Sequence, residues 1–197
     1  MKSYFILLLF TIFNCFGQDI SEINKVLEIS DTLEYQHEIR IYKNYSIGSK
    51  IVIFRMFKEK NDWSANISYY DTNLKQITKI NGIVFPKENI GKLKPVDPNL
   101  IWLNVLITNV EFLPSMESIE YKLNTPYIDL DKGENQINRK KVLVTDGIGY
   151  QVYIKNGKIK NNFSFYNPET YLKYYPAVDE LIAYNELLSI INKEFEL

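Results

Sequence analysis

The run from Ile148 to Phe165 alternates apolar and polar residues on both sides of Asn156-Gly157, and this constrains the fold more than any other feature. Asn and Gly both tolerate the positive φ of a type I′ turn, whose twist matches that of paired strands. Counting outward pairs Ile154 with Ile159, Val152 with Asn161, Tyr150 with Phe163 and Ile148 with Phe165. Three of these pairs are apolar on both sides and share one face, so the hairpin has to lay that face on a core. Asn161, the exception, is expected toward an end of that core.

Other segments extend the sheet. In His37–Lys43, Ile39 and Ile41 alternate with Glu38, Arg40 and Tyr42. Lys50–Lys58 is apolar on both faces, as a central strand is. Trp63–Asp71 and Leu74–Ile80 flank the turn-forming trio Asp71-Thr72-Asn73 and read as a second hairpin. A strand is expected at Ser118–Leu123, followed by a polar loop from Asp129 to Asn138.

Helical spacing appears in four places. Ile20, Ile23 and Leu27 outline a short helix near the start. Asp97-Pro98 is a helix start, since Asp caps free N–H groups and Pro suits the first turn. Leu100, Leu103, Ile107 and Val110 then fall near one face, widened by Ile101, Val105 and Leu106, which predicts a buried helix ended by Pro114. Asn167-Pro168-Glu169 repeats the cap-and-proline start for a short helix through Tyr174. A last helix, Ala177–Glu194, carries Val178, Leu181, Ile182, Leu188 and Ile191, with Phe195 beyond it, on a wide stripe suited to a sheet. The expected fold is α+β: an antiparallel sheet of about six to eight strands with a central and a C-terminal helix packed on one face.

The first seventeen residues have a separate role. Lys2 precedes an uncharged apolar run, Tyr4–Phe13, of about ten residues, short of the roughly twenty a membrane helix needs. With Gly17 before Gln18, this reads as a signal for export through the Sec pathway, cleaved between those two residues. Residues 18–197 then form a single α+β domain, periplasmic or secreted, with no transmembrane segment. Cys15, the one cysteine, lies in the leader. Asn14 stands where lipid attachment to Cys15 needs a small residue, which favours cleavage over a lipid anchor. The mature chain is thereby free of thiols. The full sequence is 46% hydrophobic, and the mature chain keeps enough apolar material for a core without disulfides.

The segments Glu38-Ile-Arg-Ile-Tyr-Lys43, Ile53-Phe-Arg-Met-Phe-Lys58 and Asn167-Pro-Glu-Thr-Tyr-Leu-Lys-Tyr-Tyr-Pro176 resemble a group of small secreted proteins of Bacteroidetes-type bacteria. The leader ending Phe16-Gly17-Gln18 suits the same source. The resemblance implies bacterial export and a single domain. It carries no activity, cofactor or site.

Reactive chemistry is sparse. His37 is the only histidine, which excludes multi-histidine zinc sites and leaves a Ser–His mechanism without a Gly-x-Ser-x-Gly elbow. Placed beside Ile39 and Ile41, it reads as a packing residue. Asp129-Leu-Asp131-Lys-Gly133-Glu134-Asn135 has the look of a calcium loop, but the twelfth position from Asp129 is Lys140 rather than Glu. No cofactor fingerprint is present, and the net charge, −1 before loss of Lys2 and −2 after, gives no basic stripe for nucleic acid.

Tyrosine is abundant, 15 in all, and Tyr69, Tyr70, Tyr171, Tyr174 and Tyr175 cluster near turns. Aromatic rings with a polar tip suit glycan stacking and protein interfaces, so these five form the candidate binding surface. Asp31-Thr32-Leu33 also has the form of an O-glycosylation acceptor. The expectation is an exported, non-enzymatic binding module for a protein or glycan. The alternative is a hydrolase working through paired carboxylates on glycan or cell-wall material, with Glu34 and Glu38, or Asp179 and Glu180, as the pair.

Overall fold

The structure is a computed structural model and describes residues 15–83, 85, 97–131, 133–144 and 147–197. The expected leader falls largely outside these residues, as does most of the link between the fourth strand and the central helix.

Six antiparallel strands form the main sheet: β1 (His37–Tyr45), β2 (Lys50–Glu59), β3 (Asp62–Asp71), β4 (Gln76–Ile83), β7 (Ile148–Asn156) and β8 (Ile159–Tyr166), in the order β4-β3-β2-β1-β7-β8. The two hairpins expected from turn chemistry, β3–β4 and β7–β8, are both present, and β2 and β1 join them: β2 pairs with β3, and β1 pairs with β2 on one side and β7 on the other. The α+β architecture and the C-terminal helix are as expected.

One face of the sheet carries Ile39, Ile41, Phe54, Met56, Ile67, Val152, Phe163 and Phe165 into the main core. Over it lie α2 (Pro98–Ile107), a 3-10 helix (Met116–Lys122), α3 (Pro168–Tyr174) and α4 (Asp179–Phe195). Tyr184 of α4 lies flat on Phe165, ring centroids 4.5 Å apart and planes 2° apart, and its hydroxyl donates to the Pro114 carbonyl at 2.6 Å. The opposite face buries Tyr42, Ile51, Ile53 and Tyr70 under Ile23 of α1 (Cys15–Val26), with Ile20 and Leu27 alongside. The α1 helix runs through the expected cleavage point, Gly17/Gln18.

Several details differ from expectation. The β7–β8 turn is centred one residue later: Gly157 alone takes positive φ, 60°, and Asn156 is still in β7. The register therefore moves by two, pairing Ile154 with Asn161, Val152 with Phe163 and Tyr150 with Phe165. A shift of two leaves every side chain on its expected face. Asn161 does sit at the hairpin end of the core, donating to the Val110 and Leu113 carbonyls.

Ser118–Leu123 is not a strand but lies mostly within the 3-10 helix, since Met116, Ile119 and Leu123 bury themselves at helical spacing. The polar loop Asp129–Asn138 is a hairpin, β5 (Thr125–Asp131) against β6 (Glu134–Lys140), exposed along nearly its whole length. In α4 the stripe is centred on Leu181, Tyr184, Leu187 and Ile191, while Ile182 faces outward.

The largest departure concerns α2. Asp97 caps it as expected, accepting from the N–H groups of Asn99 and Leu100. The face turned to the core, however, is Ile101, Trp102 and Val105. Leu100, Leu103 and Ile107 point away and are 55%, 54% and 74% exposed. The helix is apolar all round, and packing selects the side carrying Trp102.

Candidate functional site

Three arrangements concentrate chemistry-bearing side chains. The first lies beneath the segment linking α1 to β1. Glu38, Arg40 and Arg55 project from neighbouring strands to the α1 side of the sheet and are buried there. Glu38 Oε1 accepts from Arg40 Nε at 2.8 Å and Arg55 Nε at 2.9 Å. Its Oε2 accepts from the backbone N–H groups of Glu34 and Tyr35. Arg40 also donates to the carbonyls of Ser30 and Thr32. Arg55 lies against the faces of Phe57 and Tyr35, which stack on each other. Burial pushes the Glu38 carboxyl up, but the Tyr35 N–H and the charges of Arg40 and Arg55 outweigh it and hold the group below its ordinary value. With every acceptor site engaged, Glu38 binds the 30–35 segment to the sheet and has no free edge for a substrate.

Neighbouring this knot, Tyr42 donates to Asn24, and Asn24 and Ser21 both donate to Asp31. Those side-chain hydrogen bonds hold the Asp31 carboxyl below its ordinary value. Thr32 of the Asp31-Thr32-Leu33 motif is exposed beside them.

The second arrangement is at the β7–β8 turn end of the sheet, on the α2 side. His37 faces Asn156 across the β1–β7 pair, with Nδ1 2.7 Å from Asn156 Oδ1. The Asn156 amide donates in turn to Glu111 Oε1 at 3.0 Å. Trp102 meets the His37 ring edge-on at 5.8 Å, and Trp63 packs beside both. Glu111 can only accept, so Asn156 turns its NH₂ to it and its oxygen to His37. That requires the proton on Nδ1 and makes Nε2 the acceptor nitrogen. No serine, threonine or cysteine hydroxyl or thiol is bonded to His37 among the described residues, so the arrangement packs aromatic rings rather than activating a nucleophile.

The third is a cavity of about 580 Å³ at the opposite end of the sheet, between α3, α4 and the ends of β1 and β7. Lys43, Ile148 and Tyr150 form its floor, with Asn167 and Thr170 on one side and Ser189 and Asn192 on the other. Asn167 adopts φ 44°, ψ 44°, a left-handed conformation Asn tolerates. Instead of capping α3, its Oδ1 accepts from the Ile148 N–H at 2.8 Å. A Cβ on Gly147 would meet that amide at 2.0 Å, so any larger residue there would have to push the Asn167 side chain off its bond to Ile148.

The five tyrosines singled out by sequence lie in different surroundings. Tyr69 and Tyr70 project from opposite faces of β3. Tyr69 lines a second cavity of about 490 Å³ with Tyr45 and Val52, while Tyr70 is buried under α1. Tyr171 is buried in the core, its hydroxyl pushed up to about 12 by burial and by its neighbours Tyr166, Tyr175 and Glu120. Tyr175 stacks beside it, and Tyr174 is exposed.

Of the paired acids, Glu38 is locked by arginines and Glu180 pairs with Lys122 at 2.5 Å. Neither proposed pair lines either cavity. In the Asp129 loop region, Asp129 accepts from the Leu130 N–H and from Asn138. Among the described residues no group of three or more potential metal ligands converges, and no helix is long and apolar enough to cross a membrane. Comparisons with protein-family models, with curated proteins and with solved structures find no match to this chain.

Proposed function

We propose that this chain is an exported, non-enzymatic interaction module that docks a protein partner through the outer face of α2. The observation that supports this reading is the exposure of Leu100, Leu103 and Ile107, with Phe112 just beyond the helix at 69%. A helix that is apolar all round is ordinarily buried on all sides, and a contiguous exposed apolar patch marks an interaction site. Residues 98–110 contain no charged side chain, so the face fits an uncharged apolar surface on the partner and offers nothing to a polyanion or a charged peptide.

The test compares tagged wild-type protein with a Leu103→Glu/Ile107→Glu variant in envelope extract. A partner kept by the wild type and lost by the variant is the expected result. Equal retention by both, or substrate turnover by the purified protein in a hydrolase screen, overturns the reading.

A further inference from the structure

We propose that the cavity between α3, α4 and the ends of β1 and β7 binds an uncharged, hydroxyl-rich ligand of saccharide type. Its volume, about 580 Å³, lies within the range of small-molecule sites, roughly 300–1,000 Å³. The ligand class follows from the groups the cavity presents.

Thr170, Ser189 and Asn192 line it and form no side-chain hydrogen bond among the described residues. Asn185 gives its NH₂ to the Leu181 carbonyl, which leaves its oxygen to accept. Asn167 commits its oxygen to Ile148, which leaves its NH₂ to donate. The walls therefore offer donors and acceptors in similar number, as a ligand bearing many hydroxyls requires, because each hydroxyl gives one hydrogen bond and takes others. An apolar ligand would strip these groups of water without replacing the bonds.

Charge narrows the class further. Lys43 is the cation of the lining, and its Nζ donates to the Leu197 carbonyl oxygen at 3.3 Å. Glu169 is the anion, held outward toward Lys173 at 3.5 Å. The lining thus carries one charge of each sign, with Glu169 paired to Lys173, and selects for no net charge on the ligand. The Tyr150 ring, supported from behind by Phe165 at 5.0 Å, supplies the flat apolar surface on which the C–H face of a sugar ring packs. This site shares no residue with the outer face of α2.

Calorimetric titration of the folded chain with maltose, cellobiose and N,N′-diacetylchitobiose, with glucuronate as the charged comparator, tests this. At least one of the uncharged disaccharides binds saturably and glucuronate binds more weakly. Asn192→Ala weakens that binding about tenfold, the scale of one hydrogen bond to the ligand. Ser189→Phe, which fills the cavity from an exposed helical position, abolishes it while circular dichroism and Tm stay unchanged. Failure of all three disaccharides to saturate, glucuronate binding as tightly, or binding indifferent to Ser189→Phe overturns the proposal.

Discussion

Arg40 donates through Nε to Glu38 Oε1 at 2.8 Å in a place where the two side chains are 1% and 0% exposed. Both stand on β1, two residues apart, on the face opposite Ile39 and Ile41. A buried ion pair is retained only if further hydrogen bonds complete it. Here Arg55 and two backbone N–H groups complete the carboxylate, and the Ser30 and Thr32 carbonyls complete Arg40. The knot joins three stretches of chain, so removing one member exposes the needs of the others. Glu38→Ala costs about 3–5 kcal/mol, the range for breaking a buried pair, read as a lower midpoint in urea.

The same knot sets an acid dependence. A glutamate in the unfolded chain titrates near pH 4.3, and the folded protein holds Glu38 below that. The folded state thus binds fewer protons, so this contribution is fully present above about pH 4.3 and is lost as pH falls through the folded value. Stability measured from pH 6 down to pH 3 falls less steeply for Glu38→Gln than for wild type. Parallel curves would show that other carboxylates control the acid limb.

Tyr184 joins α4 to the far edge of the sheet through its ring on Phe165 and its hydroxyl on Pro114. These two roles separate by mutation. Tyr184→Phe keeps the stack and loses one hydrogen bond, about 1 kcal/mol, which lowers Tm by about 2–4 °C for a chain of this size. Tyr184→Ala also empties the space against Phe163 and Phe165 and costs about 3–5 kcal/mol.

Much of this was legible in the residues, for physical reasons that differ from place to place. Turn chemistry places the β7–β8 register two off but puts the right residues on the core face, because side chains alternate with period two. Asp97 was readable because a cap is a contact within one turn. The knot at Glu38 is not legible, because a polar strand face looks solvated until the 30–35 segment folds back over it, and nothing in its composition shows that its backbone groups turn toward Glu38 and Arg40. Tyr184 is not legible as a core residue, because a tyrosine reads as polar when its partner, the Pro114 carbonyl, lies 70 residues away. The cavity lining could not be assembled from sequence at all, since Lys43, Asn167 and Asn192 meet only through the β1–β7 pairing and the docking of α4.

The His37–Asn156–Glu111 series makes a spectroscopic prediction. Glu111 orients the Asn156 amide, and the amide selects the histidine tautomer. Nitrogen-15 NMR of neutral His37 shows the proton on Nδ1. Glu111→Gln frees the amide to turn and gives a mixture of tautomers, with little loss of stability. A proton on Nε2 in the wild type would mean that Asn156 faces the other way and that Glu111 does not direct it.

Helix α2 offers the sharpest separation of folding from docking, because its two apolar faces differ only in what covers them. Val105 is fully buried against the core, and Ile101 and Trp102 flank it. Val105→Ala leaves a small cavity and lowers stability by more than 1 kcal/mol, since the surrounding side chains relax only in part. Leu103, three residues after Leu100 and four before Ile107, is half exposed. Leu103→Glu therefore changes unfolding free energy by no more than about 0.5 kcal/mol, as surface substitutions do. In the interaction assay the ranking reverses: Leu103→Glu loses the partner while Val105→Ala, still folded below its lowered Tm, keeps it. If Leu103→Glu instead unfolds the chain, the outer face is part of the core and the docking reading fails.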